Sequence, residues 1–125
     1  MERYDINKDW AHSGVITAGD FVFTGYCAGN ADGNLEEQIN GALDNLEERL
    51  KIVQLTLSDV VRIDALFSNI WDIPTMEKVF KTRFGGKYPV RKSSQTAFAH
   101  ESLLFQLDAI AYKASTCQKD KNSVK

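Results

Sequence analysis

The strongest pattern of apolar and polar positions runs through residues 35–55. Leu35, Ile39, Ala42, Leu43, Leu46, Leu50 and Val53 recur at intervals of three and four, which lines them along one stripe of an amphipathic helix. Asn34 stands at the N-cap and Glu37 at N3, the places a capping box needs. Glu36, Glu37, Asp44, Glu47 and Glu48 take the other sides, and the acids of the first turn suit the positive end of the helix dipole. Ahead of this helix, Val15 to Cys27 is interrupted by Ala18-Gly19-Asp20 with apolar β-formers on both sides. That predicts a hairpin, with strands near Ser13–Ala18 and Asp20–Tyr26. Residues 1–12 are polar and read as an irregular N-terminal arm, and residues 28–34 as a loop.

Beyond the helix, Val60–Phe67 is β-branched and apolar and reads as a strand. Asp72 and Pro74 open a second helix, because proline is tolerated in the first turn. Its apolar face is Ile73, Met76, Val79, Phe80 and Phe84, and Gly85-Gly86 ends it. Further strands are expected near Val90–Phe98 and Leu103–Lys113. The order β-β-α-β-α-β-β is an α+β pattern in which two helices cover one face of a sheet. In the last strand, Leu103, Phe105, Leu107, Ala109 and Ala111 suit the covered face. Leu104, Gln106, Asp108, Ile110 and Tyr112 form the opposite face, a mixture that fits a subunit interface with a polar site in it. The expected division is an arm over 1–12, a single domain over 13–113 and a polar tail over 114–125.

Composition narrows the class. The chain has 125 residues, the size of one domain, and its 43% apolar and 26% charged content excludes a disordered, collagen-like or disulfide-stapled chain. No apolar run approaches the ~20 residues of a membrane span. Met1-Glu2-Arg3-Tyr4-Asp5 has no signal-peptide core, so a cytoplasmic protein without a membrane partner is expected. The net charge of -2 argues against a nucleic-acid partner. The charge is unevenly spread: residues 1–72 hold 5 Lys/Arg and 13 Asp/Glu, and residues 73–125 hold 10 and 4. Cys27 and Cys117 fit neither a metal spacing nor a redox motif, and no metal or cofactor is expected. Gly25, Gly29 and Gly33 lack the pattern of a phosphate cradle and read as a turn-rich loop. Arg91 follows Tyr88-Pro89-Val90 at a strand start, where its planar fork is suited to gripping a carboxylate.

A resemblance gives these residues a common setting. It is carried by Ala18-Gly19-Asp20-Phe21-Val22-Phe23-Thr24, by Gln38 with Leu43-Asp44-Asn45-Leu46, and by Ser58-Asp59-Val60-Val61-Arg62. Tyr88-Pro89-Val90-Arg91 and Leu107-Asp108-Ala109-Ile110-Ala111 complete it. In this order and spacing they resemble the RidA/YjgF family of imine/enamine deaminases, once described as L-PSP-type endoribonucleases. The resemblance implies a chorismate-mutase-like domain, with two helices on one face of a mixed sheet, and a homotrimer with ligand clefts between subunits. The implied activity is hydrolysis of reactive 2-imino or enamine acids to 2-keto acids and ammonia; a non-catalytic, carboxylate-binding trimer is the alternative.

By the same resemblance, Arg91 falls on the carboxylate-binding arginine, and Ser93 on the residue whose backbone helps hold the ligand. Gly25 and Tyr26 replace a serine and glycine at the end of the second strand, Glu77 stands for an asparagine of the second helix, and His12 for a tyrosine. Gln106 occupies the position of the water-activating glutamate, in the cleft with Arg91. An amide orients water but does not take its proton; the imidazole of His12 can. Gln106 and His12 are therefore the expected catalytic pair.

Overall fold

A computed structural model describes residues 1–114. The expected tail over 114–125, with Cys117, lies outside the described residues apart from Ala114. Six strands and two helices follow one another as β1 (Glu2–Asn7), β2 (His12–Ala18), β3 (Phe21–Thr24), α1 (Leu35–Ile52), β4 (Val60–Phe67), α2 (Ile73–Phe84), β5 (Val90–Gln95) and β6 (Phe105–Tyr112). One sheet holds all six strands in the order β1-β2-β3-β6-β4-β5. β5 runs parallel to β4 and every other pairing is antiparallel, so the sheet is mixed.

Both helices cover the same face. Ile39, Leu43, Leu46 and Leu50 of α1 and Met76 and Phe80 of α2 are buried against Ile63, Phe67, Phe105 and Leu107 of the sheet. Phe67 and Phe105 meet edge to face at 5.1 Å. Burying each such side chain contributes ~1.5–3 kcal/mol, which makes this layer the main source of stability. Alternation along β6 separates the two faces: Phe105, Leu107, Ala109 and Ala111 are buried, while Gln106, Asp108, Ile110 and Tyr112 are half-buried.

Local signals set the helix ends. Asn34 Oδ1 accepts from Glu37 N at 2.9 Å and Glu37 Oε1 accepts from Asn34 N at 2.9 Å, the reciprocal capping box. Pro74 sits in the first turn of α2, and Gly85 ends that helix at φ 57°, a conformation costly for any residue with a Cβ. Gly29 has a different task. A Cβ there would lie 2.6 Å from the carbonyl oxygen of Gly41, so two glycines let the loop before α1 pack directly on the helix backbone. No described helix is long and apolar enough to cross a membrane.

The arm over residues 1–12 is corrected. Glu2–Asn7 forms an edge strand on β2, with Tyr4 paired to Val15. Its side chains are mostly exposed, so alternation leaves almost no trace in the sequence. Three strands are also shorter than expected, β6 running only from Phe105 to Tyr112. β3 stops at Thr24, where the Thr24 hydroxyl accepts from Ala109 N at 3.0 Å, and the ladder resumes only at the Cys27–Leu107 bridge. β5 stops at Gln95.

Candidate functional site

β5 begins just after the α2 terminus and the Tyr88-Pro89 segment. Parallel register pairs Arg91 with Ile63 and Ser93 with Ala65. Ile63 and Ala65 are buried beneath the helices, so Arg91 and Ser93 point to the helix side of this edge strand. There Arg91 Nη2 donates to Glu77 Oε2 of α2 at 2.7 Å. The pair borders a cavity of about 250 Å³ whose other walls are Phe80, Lys81, Tyr88 and Pro89. The Ser93 hydroxyl, shielded from solvent, has no hydrogen-bond partner among the described residues.

The other expected site residues gather elsewhere. His12 starts β2, and its ring lies 6.0 Å from that of Tyr26. Gly25 N donates to Gly14 O at 2.9 Å, which holds this end of the hairpin together. Arg49 reaches over from α1 to donate to the carbonyl of Tyr26, with its Nη1 3.5 Å from Cys27 Sγ and its Nε 3.7 Å from Asp5 Oδ2. Burial raises the Cys27 thiol pKa, and the neighbouring Arg49 charge partly opposes the shift.

Gln106 is paired with Leu66, on the face that the helices leave open. The cleft expected to hold Arg91 and Gln106 lies between subunits. Within one chain, Gln106 and Arg91 lie on opposite faces of the sheet and three residues apart along β4, since Arg91 pairs with Ile63 and Gln106 with Leu66. His12 and Tyr26 are likewise not brought to Arg91 by a single chain's pairings.

The open face carries a second polar group. Asp64 of β4 stands directly opposite Asp108 of β6 and beside Lys92 of β5. Arg62 Nη2 donates to Asp64 Oδ1 at 3.1 Å. Partial burial raises the Asp108 pKa, the Asp64 charge adds to this, and Arg62 partly offsets it. The alternation in Val60–Phe67 already put Arg62 and Asp64 off the core face; what brings Asp64 to Asp108 is the long-range register of β4 and β6.

Comparison with known proteins identifies the family. Residues 5–113 match the model of the endoribonuclease L-PSP family. The chain belongs to that family, the RidA/YjgF family. It is similar to a Streptococcus pyogenes M1 GAS protein described as a member of the yjgF family, at 52% identity and TM-score 0.89, covering 91% of this chain and 97% of that one. A rat 2-iminobutanoate/2-iminopropanoate deaminase is 33% identical over 79 residues, which span 63% of this chain and 58% of the relative. Escherichia coli TdcF, solved with bound serine, shares the fold at TM-score 0.75 and 20% identity, covering 82% and 88% of the two chains.

Proposed function

We propose that the protein hydrolyses 2-imino acids, in equilibrium with their enamines, to 2-keto acids and ammonia. The observation that carries this reading is Arg91, a part-exposed guanidinium at the rim of a cavity of about 250 Å³ with aromatic walls. Its fork suits a ligand carboxylate, and the walls suit a short apolar side chain. The mammalian relatives named as 2-iminobutanoate/2-iminopropanoate deaminases supply the reaction class, and the serine in TdcF supports a small carboxylate-bearing ligand.

The working form is a cytoplasmic homotrimer. Phe21, Phe23 and Val90 are 46%, 40% and 66% exposed on the open face, a surface suited to burial between subunits. Such packing would bring the His12, Tyr26 and Gln106 face of one subunit towards the β5 edge of another. Light scattering at micromolar concentration should give three times the chain mass; a monomer would remove this part of the reading.

Ammonia release from freshly generated 2-iminopropanoate tests the activity. The native protein should exceed spontaneous hydrolysis, and Arg91→Lys should lose at least ~10-fold in kcat/KM, because an ammonium does not reproduce the bidentate fork. One observation favours a second reading: an amide at position 106 does not accept water's proton. Saturable pyruvate binding without ammonia release would identify a carboxylate-binding module instead.

A further inference from the structure

Glu77 lies one helical turn before Lys81 on α2, and its carboxylate is bonded to Arg91 at 2.7 Å. Both side chains stay open to solvent, Arg91 at 34% and Glu77 at 45%. Two opposite charges therefore sit side by side on the rim of the cavity between α2 and β5. Exposed ion pairs are held weakly, so a ligand bringing both charges can replace the pair with two ionic contacts of its own.

Building on the deaminase reading, we infer that Arg91 and Glu77 form an amphoteric clamp. Arg91 takes the carboxylate of a 2-iminium acid, and Glu77 takes the protonated nitrogen and then the proton of the attacking water. In such an acid a single carbon separates the carboxylate from the nitrogen, which matches two protein groups already in contact. Phe80, Tyr88 and Pro89 leave room for an apolar side chain. Among the described residues lining this cavity, Glu77 is the one carboxylate. Gln106 lacks a basic site.

The step balances without another reactant. Water oxygen bonds to the C=N carbon, and the π pair moves to nitrogen. Glu77 takes the water proton and returns it to that nitrogen. The C–N bond then breaks with its electron pair on nitrogen, the carbonyl forms from the hydroxyl, and the hydroxyl proton passes through Glu77 to the departing ammonia. Iminium and water become 2-keto acid and ammonium.

Two probes test the clamp: pyruvate carries the carboxylate alone, and L-alanine adds an ammonium. Glu77→Gln should weaken L-alanine binding by roughly 10-fold, the weight of a charge-assisted hydrogen bond. Pyruvate binding should hold or tighten, because Arg91 is released. Ammonia release from 2-iminopropanoate should fall by ~10²-fold, with partial return in Glu77→Asp. The residue is exposed and the change nearly isosteric, so folding is not at risk. Equal loss of both probes overturns the clamp, as does unchanged L-alanine binding. A Gln106→Glu protein at least ~10-fold faster, with Glu77→Gln silent, would place proton transfer at position 106 instead. Native protein that releases no ammonia, yet binds L-alanine through Glu77, would overturn the deaminase reading and leave the clamp standing as a binding site.

Discussion

Two arginines flank the end of α2, and they are used in opposite ways. Arg83 is 20% exposed and reaches into α1, where Asn40 Oδ1 accepts at 2.9 Å, Asp44 Oδ1 at 2.8 Å and Glu47 Oε1 also accepts. Arg91 is 34% exposed and bonds Glu77 beside an open cavity. A guanidinium has five N–H donors. Arg83 spends its donors on a neighbouring helix, and those contacts hold its pKa above the usual arginine value against the opposing effect of burial. The hydrogen bond recorded for Arg91 is to a side chain that can swing away. The polar groups of the α1 region are thus committed to the fold, while those at the α2–β5 corner are open to exchange for a ligand.

Gln38 is the extreme case of commitment and should give the largest stability loss. It is the one polar side chain buried among the described residues. Its Nε2 donates to Ala31 O at 3.3 Å, Gly33 O at 3.2 Å and Ser102 O at 2.9 Å, and its Oε1 accepts from Leu104 N at 2.8 Å. One amide therefore ties the loop before α1 to the approach of β6. Gln38→Leu keeps the bulk but strands these backbone groups, each worth ~1–3 kcal/mol when buried and unpaired. Urea denaturation should show a loss of about 3 kcal/mol, with the longer contacts partly relaxing. A loss below ~1 kcal/mol would mean that water reaches the loop and that α1 is less committed than its contacts suggest.

Arg83→Met should come next. Its partners Asp44 and Glu47 are 64% and 40% exposed, so solvent screens much of the ionic contribution. A loss of about 1 kcal/mol is expected, less than for a fully buried charged bond. If Arg83→Met cost no more than removing Arg91, the contrast between the two arginines would fail.

How much of this was legible follows the range of each interaction. The Asn34–Glu37 box, the α1 stripe and the limits of β4 depend on neighbours along the chain, and the sequence reading matches them. β1 did not show, because a solvated edge strand needs no apolar alternation. Arg91 was visible through Tyr88-Pro89 and the resemblance, but its bond to Glu77 joins residues 14 apart across a turn. Arg49 was just another charge on α1; its reach to Tyr26 and Asp5 exists only once the hairpin packs on the helix. That Gln106 and Arg91 take opposite faces of one chain's sheet follows from the long-range register of β4, which neighbours along the chain do not carry.

The open face supplies a smaller test of commitment. Asp64 and Asp108 are directly opposed across β4 and β6, and like charges so placed are unfavourable. The native Asp108 pKa is raised above its ordinary value, so between the unfolded and native pKa the folded state binds more protons. Stability from this group is therefore fully present below the ordinary aspartate value and is lost as pH rises through the raised one. Asp108→Asn should stabilise the protein at pH 7 by roughly 0.2–1 kcal/mol. The gain should fade on acidification, as Asp108 itself becomes neutral. Denaturation at fixed protein concentration across pH 4–8 measures this. A gain independent of pH would assign the effect to packing rather than charge.

The smallest stability effect is expected at Arg91, and it matters most for the comparison. Arg91→Met removes the bond to Glu77, but the carboxylate left behind is 45% exposed and can be hydrated where it stands. No buried charge is orphaned, and the methionine retains an apolar stem against Phe80 and Tyr88 in the cavity wall. Urea midpoints should therefore shift by no more than ~0.5 kcal/mol, within the range of exposed ion pairs. Pyruvate binding, by contrast, should be lost by at least ~10-fold, because the group that carries it has no neighbouring substitute but Lys81, a single point of charge rather than a fork. A protein that is stable and does not bind would show that Arg91 is kept for a ligand. A loss of stability comparable to that of Arg83→Met would instead make the Arg91–Glu77 bond another strut between α2 and the sheet, and the cavity beside it a gap between struts.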